Sequence, residues 1–360
     1  MKKNPKKILI ILTGGTICSF ANDNGEQASN TKKAQTLIVQ NFRNGDSRYK
    51  GKQNVTFYTK NPLDILSENM TVKHWNTLIR NLKKYDFSRY DGVIILHGTD
   101  TLGFTAPLLS ILLAGIKIPV FLVSSQLPIY ENAANGNENF KTAVEHIING
   151  IKPNVYVAYR NEETANGKAM RTMYLHLAAH LTQCPNHSNN FYSSDMHPLT
   201  EGEFYEGKET AQLKMPLLSL EKLENCVLKI DPYVGLDYSR FSLKGVKVVL
   251  HHTYHSSTMA VNPEREDKRN IGYTTASVMS LKRRCDNAKQ PIELYIEPCN
   301  KQETYLYDTT GLVLRQNVGT SWRTTSEMAY AKLLIGASLG YAGEKLQNYI
   351  DTEINGEFIR

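Results

Sequence analysis

The chain has 360 residues, 41% of them hydrophobic and 21% charged, and a formal net charge of +7 at neutral pH. That is an ordinary composition for a soluble protein, long enough for one or two compact domains. No apolar run reaches the ~18 residues of a membrane-spanning helix, and the basic residues are dispersed apart from "MKKNPKK" and "KRRC" (282–285), the pattern of a solvated surface rather than of a nucleic-acid stripe.

The opening "MKKNPKKILIIL" imitates a secretion signal, but its apolar part is short and is interrupted by Thr13-Gly14-Gly15-Thr16. It reads as the first strand of a mature cytoplasmic protein. "KILIIL" (7–12), "DGVIIL" (91–96), "IPVFLV" (118–123) and "NVYVAYR" (154–160) are short, continuously apolar runs, as expected of strands buried on both faces of a parallel sheet. Helical patterns lie between them. In "TVKHWNTLIRNLKKY", Trp75, Leu78, Ile79 and Leu82 share one face and Thr71 is the expected N-cap. "TAPLLSILLAG" and "NENFKTAVEHIING" each close with Gly. The polar stretch "EGEFYEGKETAQLKMP" (201–216) precedes a second alternation, with "NCVLKI" (225–230), "VKVVLH" (246–251), "IELYIEP" (292–298) and a final helix around 325–339.

The expected fold is therefore α/β: a larger N-terminal domain (1–215) with an open, mostly parallel sheet flanked by helices, and a smaller C-terminal α/β domain (216–360). Five cysteines (18, 184, 226, 285, 299), odd in number and without paired spacing, argue against a disulfide framework or a zinc site.

Ligands of open α/β sheets bind beyond the carboxyl ends of the strands. Five segments rich in hydroxyls, amides and acids fall at such ends: "TGGT" (13–16), "SENM" (67–70), "HGTDT" (97–101), "SSQLP" (124–128) and "LTQC" (181–184). Gly14 and Gly15 permit positive φ and leave room for a ligand, with backbone N–H groups available to an oxyanion. Thr13 or Thr16 offers a nucleophilic hydroxyl if a neighbour takes its proton; a tight turn capped by threonines is the structural alternative. The spacing fits neither a phosphate loop nor a dinucleotide fingerprint. "HGTDT" joins a second hydroxyl, Thr99, to the carboxylate of Asp100.

"ILTGGTI" with "YDGVIILHGTDTL" resembles the two signature segments of the L-asparaginase and glutaminase family, in its bacterial cytoplasmic type. "SENM", "PVFLVSSQLP", "ANGNENF" and "TTSEMAYAKLL" follow in the family's order, over roughly residues 7 to 340. The resemblance implies an amidohydrolase acting on asparagine or a close analogue, with no cofactor and no metal. Thr16 matches the nucleophile, Thr99 and Asp100 the second threonine and its acid, and Ser67 and Glu68 the residues that bind the α-carboxylate and α-amino group. Gly15 and Ser125 complete the expected substrate contacts. The resemblance also implies a homo-oligomer, dimer or tetramer, with a small amide as substrate and neither membrane nor nucleic acid as partner. His97 and His176 lack metal-ligand spacing and read as structural.

Two departures stand out. The family's Thr-Lys segment aligns with "LTQC", placing Gln183 at the lysine, where it can hold Thr99 but cannot relay a proton; Lys168 and Lys141 are the nearby substitutes. The lid after Thr16 carries Phe20 where the family has a tyrosine. "HHTYHSSTMAVNP" (251–263) replaces a Gly/Asn-rich turn, and its three histidines read as filling a polar turn rather than reaching a ligand across an interface. Two further readings follow. One is a binding or sensing protein with weakened chemistry, suggested by Gln183. The other is the ammonia-releasing subunit of a tRNA-linked amidotransferase, which "ILSENM" resembles but which has an extra N-terminal domain ahead of the first strand.

Overall fold

A computed structural model describes all residues except 1–3, 46–49, 52–53, 166–167, 201–202, 210–219, 262, 266–271 and 303–304. The chain divides into two compact units, residues 1–221 with 354–357, and residues 222–353 with 358–360. The expected boundary near residue 215 lies outside the described residues.

In chain order the first unit contains β1 (Lys6–Leu12), β2 (Ser19–Ala21), β3 (Gln27–Ser29), α1 (Thr31–Asn44), β4 (Val55–Lys60), α2 (Val72–Leu82) and β5 (Gly92–Leu96). It continues through α3 (Leu102–Leu112), β6 (Val120–Val123), α4 (Gly136–Asn149), β7 (Val155–Ala165), β8 (Lys168–Leu177) and β9 (Met196–Leu199). Seven strands form one sheet in the order β4-β1-β5-β6-β7-β8-β9. The first five are parallel; β8 and β9 add antiparallel at the edge. Residues Ile8 to Leu12 and Gly92 to Leu96 are buried without alternation, because helices cover both faces of the central strands.

The helices form where their patterns place them. α2 buries Trp75, Leu78, Ile79 and Leu82, and the N–H of Thr71 at its start donates to Nδ1 of His74 at 3.2 Å. Trp75 donates its indole N–H to Thr105 Oγ1 at 3.0 Å, tying α2 to the almost fully buried α3. α4 ends at Gly150, whose φ of 84° makes the left-handed cap that glycine adopts without strain.

Three features were not legible in the sequence. The hairpin of β7 and β8 runs through ten paired positions from Tyr156–Leu177 to Ala165–Lys168. The outer part of β8, Lys168 to Arg171, is exposed and mixes Ala169 and Met170 with charged residues, so it lacks the apolar signal of a buried strand. The polar stretch after residue 201 is not a free linker in its described part: Glu206 accepts from the Lys152 N–H at 2.8 Å, and Tyr156 donates its hydroxyl to the Lys208 carbonyl at 2.9 Å. The segment 354–357, expected with the C-terminal domain, belongs to the first unit, where Asn355 Nδ2 donates to the carbonyl of Ser110 at 2.9 Å and to Asn154 Oδ1 at 3.0 Å.

The second unit comprises β10 (Val227–Ile230), β11 (Val248–His252), β12 (Pro263–Arg265), β13 (Gly272–Tyr273), α5 (Val278–Asp286) and β14 (Glu293–Glu297). It closes with α6 (Asp308–Leu314), β15 (Gly319–Thr320), α7 (Ser326–Ser338) and α8 (Gly343–Ile350). Its main sheet is parallel, in the order β10-β11-β14-β15. The two faces of this sheet carry separate apolar clusters, one around Val249, Leu281 and Ile296 and one around Leu250, Tyr295 and Leu333. The α/β class and the large, mostly parallel sheet flanked by helices are as expected. No helix among the described residues is long and apolar enough to cross a membrane.

Candidate active site

The chain goes from β1 to β4 on one side and then returns to place β5 on the other side of β1. Strand order therefore reverses between β1 and β5, and the crevice beyond their carboxyl ends is where such sheets bind ligands. Thr13-Gly14-Gly15-Thr16 leaves β1 there and His97-Gly98-Thr99-Asp100 leaves β5.

The two turns touch through glycine. A Cβ built on Gly15 would lie 2.2 Å from the Cα of Gly98, and Gly15 has a φ of 80°. Neither space nor backbone admits another residue. Gly15→Ala is therefore expected to cost about 3 kcal/mol or more, read as the shift of the denaturation midpoint. An unchanged midpoint would show that the two turns can move apart. The expectation that Gly15 offers its N–H to a ligand is corrected, because that N–H donates to the carbonyl of Ile65 at 2.7 Å. Its contribution is close approach.

The same Ile65 contact brings in the third segment. Ile65 N–H donates to the Thr13 carbonyl at 3.2 Å, extending the pairing of β1 with β4 and delivering the turn Ser67–Asn69 to the crevice. Buried Ser67 donates its hydroxyl to Asp100 Oδ2 at 2.6 Å and accepts from the Asp100 N–H at 3.2 Å. Thr101 Oγ1 donates to the Ser67 carbonyl at 3.0 Å. These bonds fix the Asp100 carboxylate in place. Glu68, next to Ser67 in the turn, is exposed.

The structure separates the two candidate nucleophiles. Thr13 is buried and donates its hydroxyl to the Leu96 carbonyl at 2.9 Å, so it serves the backbone. Thr16 is half-buried at the first position of the turn Thr16–Cys18, directly after its cap residue Gly15.

Gln183 reaches the turn after β5, donating from Nε2 to the Asp100 carbonyl at 2.7 Å. Gly103 permits this: a Cβ there would stand 2.6 Å from the Cα of Gln183. Gln183 thus pins the backbone that carries Thr99 and Asp100. Lys168 is exposed at the start of β8.

Ser125 is fully buried, donates to the Leu127 carbonyl and accepts from the Gly136 N–H at 3.1 Å, so its hydroxyl holds the loop after β6. His97 and His176 are buried, with Nδ1 against the Gly98 carbonyl at 2.8 Å and Ser193 Oγ at 2.9 Å respectively. Burial pushes their pKa values down to about 4 and about 3, so both are neutral. In the second unit His251 is buried in β11 with Nε2 against the Tyr238 hydroxyl at 2.6 Å, and His252 lies 3.6 Å from Glu297.

The segment after Thr16 forms the hairpin β2–β3. Phe20 stacks on Tyr130 with centroids 5.5 Å apart, and Gln27 Nε2 donates to the Tyr130 hydroxyl at 3.0 Å. The hairpin has no tyrosine of its own, but one from the loop after β6 packs on it, a contact between distant segments that no local pattern announces.

A cavity of about 370 Å³ opens beside the turn after β5, lined by Thr99, Asp100, Tyr159, Gln183 and the segment from Cys184 to Asn189. Tyr159 escaped the sequence reading because it sits in a run that reads as core strand.

The family model described as "Asparaginase, N-terminal" matches residues 7–210. The chain is 32% identical to an L-asparaginase of Thermococcus kodakarensis over 156 residues, 43% of this chain and 44% of the relative. It is 31% identical to L-asparaginase 1 of Escherichia coli over 140 residues, 39% of each. These matches span less than half the length of either relative. A glutamyl-tRNA(Gln) amidotransferase subunit from Methanococcus maripaludis is 27% identical over 251 residues, 66% of this chain and 56% of that relative. Among solved structures, L-asparaginase I of Vibrio cholerae superposes with a TM-score of 0.69 at 20% identity, covering 99% of this chain and 100% of that one. The Thermococcus kodakarensis enzyme superposes at 0.68 and 21%, covering 98% and 99%. The fold is thus shared along nearly the whole chain, and with a family match over more than half of its length the protein belongs to the asparaginase family.

Proposed function

We propose that the protein hydrolyses the side-chain amide of asparagine or a close analogue, giving the carboxylate and ammonia through a threonine nucleophile. The observation that carries this is the meeting of the Thr16 turn with the Ser67–Asp100 pair where strand order reverses. Thr16 Oγ attacks the amide carbon and its proton passes to a neighbouring acceptor or water. The C–N bond breaks as nitrogen takes up a proton, leaving an ester on Thr16, and water then cleaves that ester. Asp100 supplies a negative partner for the substrate's ammonium and Ser67 holds that carboxylate in position. Thr99 lies on the same turn, fixed by the grip of Gln183 on the Asp100 carbonyl.

The test is ammonia release from asparagine, glutamine, their D-forms and small asparaginyl peptides. Release from at least one supports the reading. No release from any, with tight binding of aspartate by calorimetry, would favour a sensor instead. Glutamine as the sole substrate would favour an amidotransferase role, for which the Methanococcus relative is the present support.

The reading includes a cytoplasmic location, in keeping with five cysteines of which none forms a disulfide, and a homodimer or a dimer of dimers with closed symmetry. Light scattering is expected to return a multiple of the 40.7 kDa chain mass. A stable monomer at working concentrations would remove the oligomer from the reading.

A further inference from the structure

One buried polar group near the site has no part in the scheme above. Tyr159, the fifth residue of β7, is 0% exposed, yet its hydroxyl proton has no acceptor. Its ring stands edge-on to Phe191 with centroids 4.8 Å apart, a contact that phenylalanine would make as well. Asn135 lies beside it and reaches it only as a donor: Oδ1 of Asn135 accepts from the Gln126 N–H at 3.0 Å, and its Nδ2, which also donates to the Arg160 carbonyl at 2.9 Å, leaves the phenol proton without an acceptor. Burial raises the phenol's pKa, so the group remains a neutral donor. An unsatisfied hydroxyl in the interior carries a desolvation penalty that an apolar isostere avoids.

The cavity supplies what the ligand-free packing does not. Tyr159 forms part of its wall, together with the polar segment Asn186, His187, Ser188 and Asn189 and with Thr99, Asp100 and Gln183. β7 is parallel to β6 and Tyr159 follows Ala158, the last residue paired with β6, so it lies on the same edge of the sheet as the ends of β1 and β5. We propose that Tyr159 is a substrate-contacting residue, its hydroxyl donating a hydrogen bond to an acceptor oxygen of the amide-bearing amino acid held at Thr99 and Asp100. This rests on the activity proposed above. Such a substrate offers carbonyl and carboxylate oxygens, which suit a neutral phenol donor.

The experiment compares wild type with Tyr159→Phe in three measurements: steady-state ammonia release, aspartate binding by calorimetry, and thermal unfolding without ligand. The expected result is a loss of roughly 5- to 30-fold in kcat/KM, carried mainly by KM, with a matching loss of aspartate affinity. The ligand-free melting temperature should be unchanged or higher, since an unsatisfied group is removed. Unchanged KM and aspartate affinity would overturn the proposal, as would a variant that melts earlier or fails to fold, because the hydroxyl would then be structural. A wild type that neither turns over nor binds would overturn the parent reading, and this proposal with it.

Discussion

Thr16→Ala should abolish ammonia release, lowering kcat/KM by ~10³-fold or more while the denaturation midpoint stays within about 1 kcal/mol of wild type. The two halves of that expectation have separate physical causes. Thr16 is half-buried at the mouth of the crevice, so losing its hydroxyl and methyl empties little of the core. The chemistry has no comparable reserve, because an amide carbon needs an attacking hydroxyl held in place, and water diffusing into the site lacks that orientation. Thr13→Ala is the control. Its hydroxyl donates to the Leu96 carbonyl inside the sheet, so it should lose stability before it loses turnover in the folded fraction. Full activity in Thr16→Ala, measured against a protein-free blank, would move the nucleophile to another residue, and Thr99, which lines the cavity, would be tested next.

Acid should destabilise the first unit steeply, and the sign follows from its buried histidines. His97 and His176 have pKa values pushed down to about 4 and about 3 from 6.5 by burial. Below pH 6.5 the unfolded chain takes up two protons that the folded chain refuses, so stability falls as pH falls and the loss levels off only below about pH 4 and 3. Near pH 5.5 the slope is about 2.4 kcal/mol per pH unit.

The second unit behaves differently. His251 is pushed down to about 4, but burial raises Glu297 to about 7, so between pH 7 and 4.5 the folded chain holds a proton there that the unfolded chain releases. The two nearly cancel in that window. Urea denaturation at pH 7 and pH 5 should therefore show a loss of about 3 kcal/mol, assigned to the first unit by hydrogen exchange. Glu297→Gln removes the offset and should add about 1.4 kcal/mol per pH unit of acid sensitivity to the second unit. Equal midpoints at the two pH values would mean that the histidines gain solvent or a partner before they gain a proton.

Much of this protein was determined by local sequence. Short runs such as "KILIIL" and "DGVIIL", apolar on both faces, can be buried only between two layers of helix, and that requirement fixes a parallel α/β sheet before any contact is known. The Thr-Gly-Gly-Thr and His-Gly-Thr-Asp turns were legible for the same reason: glycine and hydroxyls directly after a buried strand mark the edge where an open sheet binds ligands. Tertiary structure decided what those residues do. Thr13 and Thr16 are alike in sequence, and only the position of the Leu96 carbonyl commits one of them to the backbone. Gly15 promised a free N–H until Ile65 claimed it, and Gln183 met the Asp100 carbonyl because Gly103 let the two segments close. Tyr130 against Phe20 and Tyr159 beside Thr99 left no local trace, since each joins segments far apart in the chain. A strand's burial depends on its own composition, whereas a hydroxyl's partner depends on which distant backbone group the fold brings within 3 Å, and no periodicity in the chain encodes that distance.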